Sequence, residues 1–181
     1  MTPETVADEL DEVLIGADEL RQRVQELADE IAADHDGKDL LFVGVLRGAV
    51  MIMADLARAM PMSVEMDFMA VTSYGYARQS SGVVRILKDL DTDISGRHVV
   101  LVEDIVDSGL TLSWLLRNLE SRDPASLEVC ALIRKPEAVK VEVPVKYVGF
   151  DIPNEFVVGY GLDYRQRYRN LNVIATLPTA D

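Results

Sequence analysis

The apolar positions change period several times along the chain, and the changes mark out alternating helices and strands. From Asp18, read as an N-cap, Leu20, Val24, Leu27, Ala28 and Ile31 fall on one helical face. Residues 40–46 are continuously apolar, as in a parallel strand buried on both faces, and the helical stretch 50–60 that follows ends at Pro61. Residues 63–71 alternate, with Val64, Met66 and Phe68 on one side and Glu65 and Asp67 on the other, which predicts a half-buried strand. Another strand is expected at residues 83–90. Between the two, residues 73–82 lack large aliphatic side chains and carry Gly75, Gly82 and the Ser80-Ser81 pair, so a mobile loop is expected there.

After a turn at Ser95-Gly96, a buried strand over residues 98–102 leads towards a helix over 111–119, with Leu112, Leu115, Leu116 and Leu119 on one face. Further strands are expected at 127–133, 147–150 and 173–177, with a loop at 151–155 and an apolar run at 156–160. The alternation predicts an α/β fold, a mainly parallel sheet covered by helices on both faces. Ligands in such sheets bind beyond the carboxyl ends of the strands.

Composition narrows this picture. A chain of 181 residues with 49% apolar content can bury one real core, so a single domain over residues 1–181 is expected. The first residues are acidic and polar, and no apolar run is long enough to span a bilayer, which predicts a cytoplasmic protein with no membrane partner. The net charge of −13 argues against a protein built to neutralise nucleic-acid phosphates. A small anionic metabolite can still be held by backbone dipoles, a magnesium ion and a few basic side chains. Cys130 is solitary within an apolar run and reads as a buried thiol; His35 and His98, remote from every motif, read as structural.

The chemistry concentrates in Val99 to Leu112, VVLVEDIVDSGLTL, where a buried strand runs into Glu103 and Asp104, then Asp107-Ser108-Gly109, then a helix. Gly109 permits a tight turn, the amides of residues 108–111 point out of the helix start, and Ser108 and Thr111 add hydroxyl groups: a cradle for a phosphate. Glu103 and Asp104 are acceptors suited to vicinal ribose hydroxyls or to magnesium. Other phosphate motifs fail, since no G-x-G-x-x-G occurs and Gly37-Lys38 lacks the flanking residues of a Walker loop.

The whole string closely resembles the phosphoribosyl pyrophosphate motif of the type I phosphoribosyltransferases. Leu46-Arg47-Gly48, Ser73-Tyr74-Gly75, Lys135-Pro136 and the run Phe156-Val157-Val158-Gly159-Tyr160-Gly161-Leu162-Asp163-Tyr164, ending at Arg169, narrow the resemblance to the hypoxanthine-guanine branch. The resemblance implies that family's twisted parallel sheet with a small hood built from the N- and C-terminal segments. It also implies purine salvage: transfer of phosphoribose from phosphoribosyl pyrophosphate to hypoxanthine or guanine, with Mg2+ as cofactor, in a dimer or tetramer. The family's first pyrophosphate loop places a cis peptide before Arg47. Leu110 departs from the lysine or other polar residue usual in relatives, so a side-chain phosphate contact is expected to be absent there.

Carried over residue by residue, the resemblance implies that Arg47, Gly48 and Arg169 hold pyrophosphate and that Glu103, Asp104, Ser108, Gly109, Leu110 and Thr111 hold the phosphoribosyl group. Glu103, Asp104 and Asp163 face the metal, Asp107 handles the purine proton, and Ser73 and Tyr74 begin a lid. Phe156 stacks on the base, the Val157 backbone hydrogen-bonds its edge, and Lys135 donates to its 6-oxo group, which disfavours adenine. A pyrimidine-type RNA-binding regulator on the same fold is the rival of another class. The acidic charge, Asp107 and the Lys135–Phe156 pairing all weigh against it.

Overall fold

The structure, a computed structural model, describes residues 1–74 and 83–178. A six-stranded sheet forms the centre, in the order β4-β3-β2-β5-β6-β7, from β2 (Leu40–Leu46), β3 (Glu65–Tyr74), β4 (Val83–Lys88), β5 (His98–Val106), β6 (Ser126–Arg134) and β7 (Tyr147–Asp151). All neighbours pair in parallel except β3 with β4. Successive residues of β2 serve opposite faces: Leu40 and Phe42 pack beneath α1 (Ala17–Asp34) and α2 (Val50–Ala59), whereas Leu41 and Val43 pack beneath α3 (Leu110–Glu120). Burial on both faces is why the run of residues 40–46 is continuously apolar.

A second sheet, in the order β1-β9-β8, joins the two ends of the chain through β1 (Val13–Ile15), β8 (Val157–Val158) and β9 (Ile174–Thr176), and is the hood that the resemblance implied. The N-terminal 3-10 segment Pro3–Glu9 lies against it, with Glu9 accepting hydrogen bonds from Arg167 and Tyr168.

Four expectations need correction. Helix α1 begins at Ala17 with Gly16 as N-cap, so Asp18 lies within the first turn, where it complements the helix dipole and pairs with Arg21 at 2.7 Å. Strand β3 departs from its alternation at two positions, Met66 being 49% exposed and Asp67 only 6%, while Val64 and Phe68 pack against the core as expected. The Asp67 carboxylate goes inside because it accepts the backbone N–H groups of Phe68, Asp91 and Thr92 at 2.7–2.9 Å. Strand β5 runs on to Val106, since residues beyond Val102 still pair with β6, so Glu103 and Asp104 belong to the strand itself. Ser73 and Tyr74 close β3 opposite Val84 and Val83 rather than opening a loop, and residues 75–82 of the expected loop lie outside the described residues.

His35 and His98 sit at the amino-terminal end of the sheet, far from the strand ends that carry the motifs. His35 caps α1, with Nδ1 at 2.9 Å from the Ile31 carbonyl and Nε2 at 3.3 Å from Glu128. His98 Nδ1 lies 2.8 Å from Ser126 Oγ. Cys130 is buried, and desolvation pushes its thiol up to about 12.

Candidate active site

The neighbours of β2 are β3 on one side and β5 on the other, so the strand order reverses between β2 and β5. A crevice opens at such a switch point, beyond the carboxyl ends of the strands. Here those ends carry Arg47 and Gly48 after β2 and Glu103 and Asp104 in β5. The peptide between Leu46 and Arg47 is cis. Asp104 packs its carboxylate onto Gly48, where any Cβ would collide with it, and a Cβ on Gly161 would collide with the Gly48 carbonyl. The first loop, the acidic strand end and the C-terminal loop therefore interlock.

The turn at the start of α3 has the tight geometry expected of Gly109. Gly109, at φ +78°, is the N-cap of α3, and a side chain there would run into the Val141 carbonyl. The Ser108 carbonyl accepts the N–H groups of Lys140 and Val141 at 3.0 and 3.1 Å, which pins the loop from behind and leaves the first-turn amides of α3 unengaged by the helix. A cavity of about 200 Å³ faces this turn, lined by Glu103, Asp104, Asp107, Ser108, Gly109 and Thr111 among others. Leu110 offers no side-chain donor.

Adjoining it is a cavity of about 180 Å³ lined by Lys135, Phe156, Val157, Asp163 and Arg169, and Asp104 and Asp107 line both. Lys135 follows β6 directly, is only 6% exposed and has no ion-pair partner among the described residues. Phe156 precedes β8, is 57% exposed and meets Tyr164 edge to face at 5.9 Å. Arg169 pairs with Asp163 at 2.6 Å and donates to the Gly161 carbonyl. A more open cleft of about 670 Å³ behind the cradle, lined by Val106, Arg134, Lys140 and Val143, contains none of the expected site residues.

Two of the acids are under electrostatic stress. Burial, then the neighbouring Asp104, pushes Glu103 well above the usual carboxylate range. Asp104 is pushed up to about 6 by burial, with Asp163 also raising it against the opposing Ile105 N–H and Arg169. Among the described residues no three acidic, histidine or cysteine side chains converge closely enough to hold a metal ion by themselves. Magnesium, however, commonly takes one or two carboxylates and completes its shell with water and substrate phosphates. Asp104 and Asp163 on one cavity wall fit that donor set, and a cation would relieve the unfavourable charge on Asp104.

Sequence reasoning missed Gln166. Its Oε1 accepts from Arg47 Nη1 at 3.0 Å and from Arg169 Nη2 at 3.3 Å, so it joins the two expected pyrophosphate residues. It missed the strap at Lys140 and Val141 too. Both depend on contacts between distant segments, and neither residue type announces them. For Ser73 and Tyr74 the structure describes backbone pairing in β3.

The phosphoribosyl transferase domain model matches residues 16–165, and the chain belongs to that family. It is 57% identical over 182 residues to a hypoxanthine-guanine phosphoribosyltransferase of Mycobacterium bovis, covering 97% of this chain and 90% of the relative. The hypoxanthine phosphoribosyltransferase of Staphylococcus aureus superposes with a TM-score of 0.93 at 42% identity, covering 96% of this chain and 95% of that one. That of Trypanosoma cruzi, solved in complex with the product IMP, gives 0.88 at 42% identity, covering 94% and 95%. Among the described residues no helix is long and apolar enough to cross a membrane.

Proposed function

We infer that this protein transfers the phosphoribosyl group of phosphoribosyl pyrophosphate to hypoxanthine or guanine, giving IMP or GMP and pyrophosphate. One observation carries the reading: a cavity at the start of α3 and a cavity lined by an exposed phenylalanine and by a buried lysine with no ion-pair partner among the described residues share Asp104 and Asp107 as a common wall. A nucleotide has that layout, with phosphate at one end, ribose in the middle and base at the other.

Each group then has a task suited to its surroundings. The α3 amides, with Ser108, Gly109, Leu110 and Thr111, hold the 5-phosphate. Glu103 and Asp104 face the ribose hydroxyls. Phe156 offers an apolar face to the purine, and the Lys135 ammonium donates to its 6-oxo oxygen, a pairing that an amino group at that position cannot accept. Val157 presents backbone groups to the base edge. As the bond from the anomeric carbon to pyrophosphate lengthens, the negative charge on the leaving group is met by the guanidinium groups of Arg47 and Arg169 beside the Gly48 loop. Asp107, exposed where the cavities meet, receives the proton of the five-membered purine ring as the ring nitrogen attacks from the opposite face. Asp104 and Asp163, with Glu103 behind, would hold magnesium, which supplies further neutralisation of the diphosphate.

The same proposal takes Ser73 and Tyr74 as the start of a lid, residues 1–181 as one domain, the cytoplasm as the location and a homo-oligomer as the assembly. A steady-state assay with phosphoribosyl pyrophosphate, magnesium and each purine in turn tests the activity. Turnover with hypoxanthine or guanine and little with adenine is expected; adenine as the preferred base would overturn the Lys135 assignment.

A further inference from the structure

The pyrophosphate anchor contains one side chain to which the mechanism above gives no task. Gln166 Oε1 lies between Arg47 Nη1 and Arg169 Nη2, at 3.0 and 3.3 Å, and bridges two guanidinium groups from loops far apart in the sequence. The residue is itself held in place: its N–H donates to Asp163 Oδ2 at 2.8 Å, and its φ of +66° lies in the left-handed region, as do those of Arg165 and Tyr168. Like charges repel, and although Arg169 is also held by Asp163 and the Gly161 carbonyl, the Gln166 amide oxygen is an acceptor shared by both guanidinium groups. A diphosphate oxygen would be such an acceptor. Without ligand, the amide oxygen of Gln166 does the same work.

We propose that Gln166 is a placeholder: its amide oxygen occupies the site of a pyrophosphate oxygen between Arg47 and Arg169, competes with the diphosphate for them, and leaves when the diphosphate arrives. The proposal rests on the assignment of those arginines to pyrophosphate. A neutral amide suits the role, because its hydrogen bonds to guanidinium are weaker than those of an anionic phosphate oxygen, so the exchange runs towards bound ligand. Gln166 is exposed, and its side chain can swing out without leaving a hole in the core. A carboxylate at this position would form ion pairs with both arginines and would repel the incoming anion.

The test is calorimetric titration of wild type, Q166E and Q166A with magnesium pyrophosphate, and separately with IMP, whose binding does not need the anchor. Q166E is expected to bind magnesium pyrophosphate roughly fivefold more weakly, the scale of an exposed ion pair that must be broken, with the loss shrinking at high salt. Q166A, which removes the competitor, should bind it as tightly as wild type or tighter, and IMP affinity should stay unchanged in both variants. In wild type, the Gln166 side-chain amide resonance should move on adding magnesium pyrophosphate and stay put on adding IMP. Equal affinity of Q166E and wild type would overturn the proposal. So would weaker binding by Q166A, which would make the amide a contributor to diphosphate binding and not its competitor. Wild-type protein that binds IMP but no magnesium pyrophosphate would remove the anchor itself, and the placeholder with it, while leaving the nucleotide cavity standing.

Discussion

At the scale of single residues, Asp107 and Lys135 are distinguished by position more than by type. Asp107 is exposed and lines both cavities, so it can reach a purine proton without holding the phosphate. Asp107→Asn keeps the shape and loses the base, and general-base loss commonly lowers turnover by about a hundredfold or more. The expected outcome is a large fall in kcat with little change in the KM for phosphoribosyl pyrophosphate, read by steady-state kinetics; wild-type turnover would remove Asp107 from the proton transfer. Lys135 is the opposite case, a residue only 6% exposed with no acid paired to it among the described residues, lining the second cavity. A hydrogen bond to a charged donor contributes about 1.5 to 3 kcal/mol. Lys135→Ala should therefore raise the KM for hypoxanthine and guanine at least about tenfold by the same measure. Unchanged values for both bases would show that the 6-oxo group is recognised elsewhere.

At the scale of elements, strand β3 shows how a buried polar group can interrupt a pattern. Burial by itself would raise the Asp67 carboxyl, but the backbone N–H groups of Thr92, Phe68 and Asp91 outweigh it and hold the group below its ordinary range. A depressed carboxyl contributes stability that is present above its unfolded value, near 4, and is lost as pH falls through the folded value. Asp67→Ala should cost about 1 to 3 kcal/mol at pH 7 in urea unfolding, with the gap to wild type narrowing in acid. A gap of the same size at both pH values would mean that the loss is one of packing alone. The burial of Asp67 could not be read from the local alternation, because two of the amides it binds lie beyond β4, in the turn at Asp91 and Thr92. By contrast β2 matched its apolar run to the residue, since burial on both faces writes itself directly into sequence. The hood strands β1 and β8 span three and two residues, too few to carry a period, and only the family resemblance implied a hood, whereas β9 lies within the strand expected over residues 173–177. The same division runs through the site. The cradle of residues 107–111 is contiguous and legible, whereas the Gln166 bridge exists only once the ends of β2 and the C-terminal loop meet.

At the scale of the whole molecule, the site is a joint between two sheets. The large sheet supplies the cradle, Lys135 and the acidic strand end; the hood supplies Val157 in β8, with Phe156 beside it and the loop to Arg169 following. Protein contacts across the joint include the close approach of Gly161 to Gly48 and the hydrogen bond from the Tyr160 hydroxyl to Asp55 of α2. A nucleotide with its phosphate in the cradle and its base against Phe156 adds a third tie, spanning both sheets at once. Binding that requires the joined arrangement stabilises it by about 2.7 kcal/mol at a ligand concentration a hundred times Kd. Amide hydrogen exchange measures this directly, since opening free energies differ from segment to segment. With saturating IMP, exchange should slow both at residues 108–111 and in β8 and β9, in the hood segments by up to about a hundredfold at that concentration. Inorganic phosphate, which fills only the cradle, should slow residues 108–111 and leave β8 and β9 as they are in the free protein. Protection of the cradle by IMP with no change in the hood would mean that the base is not held against Phe156 and Val157, and the nucleotide would have to lie elsewhere along the switch point.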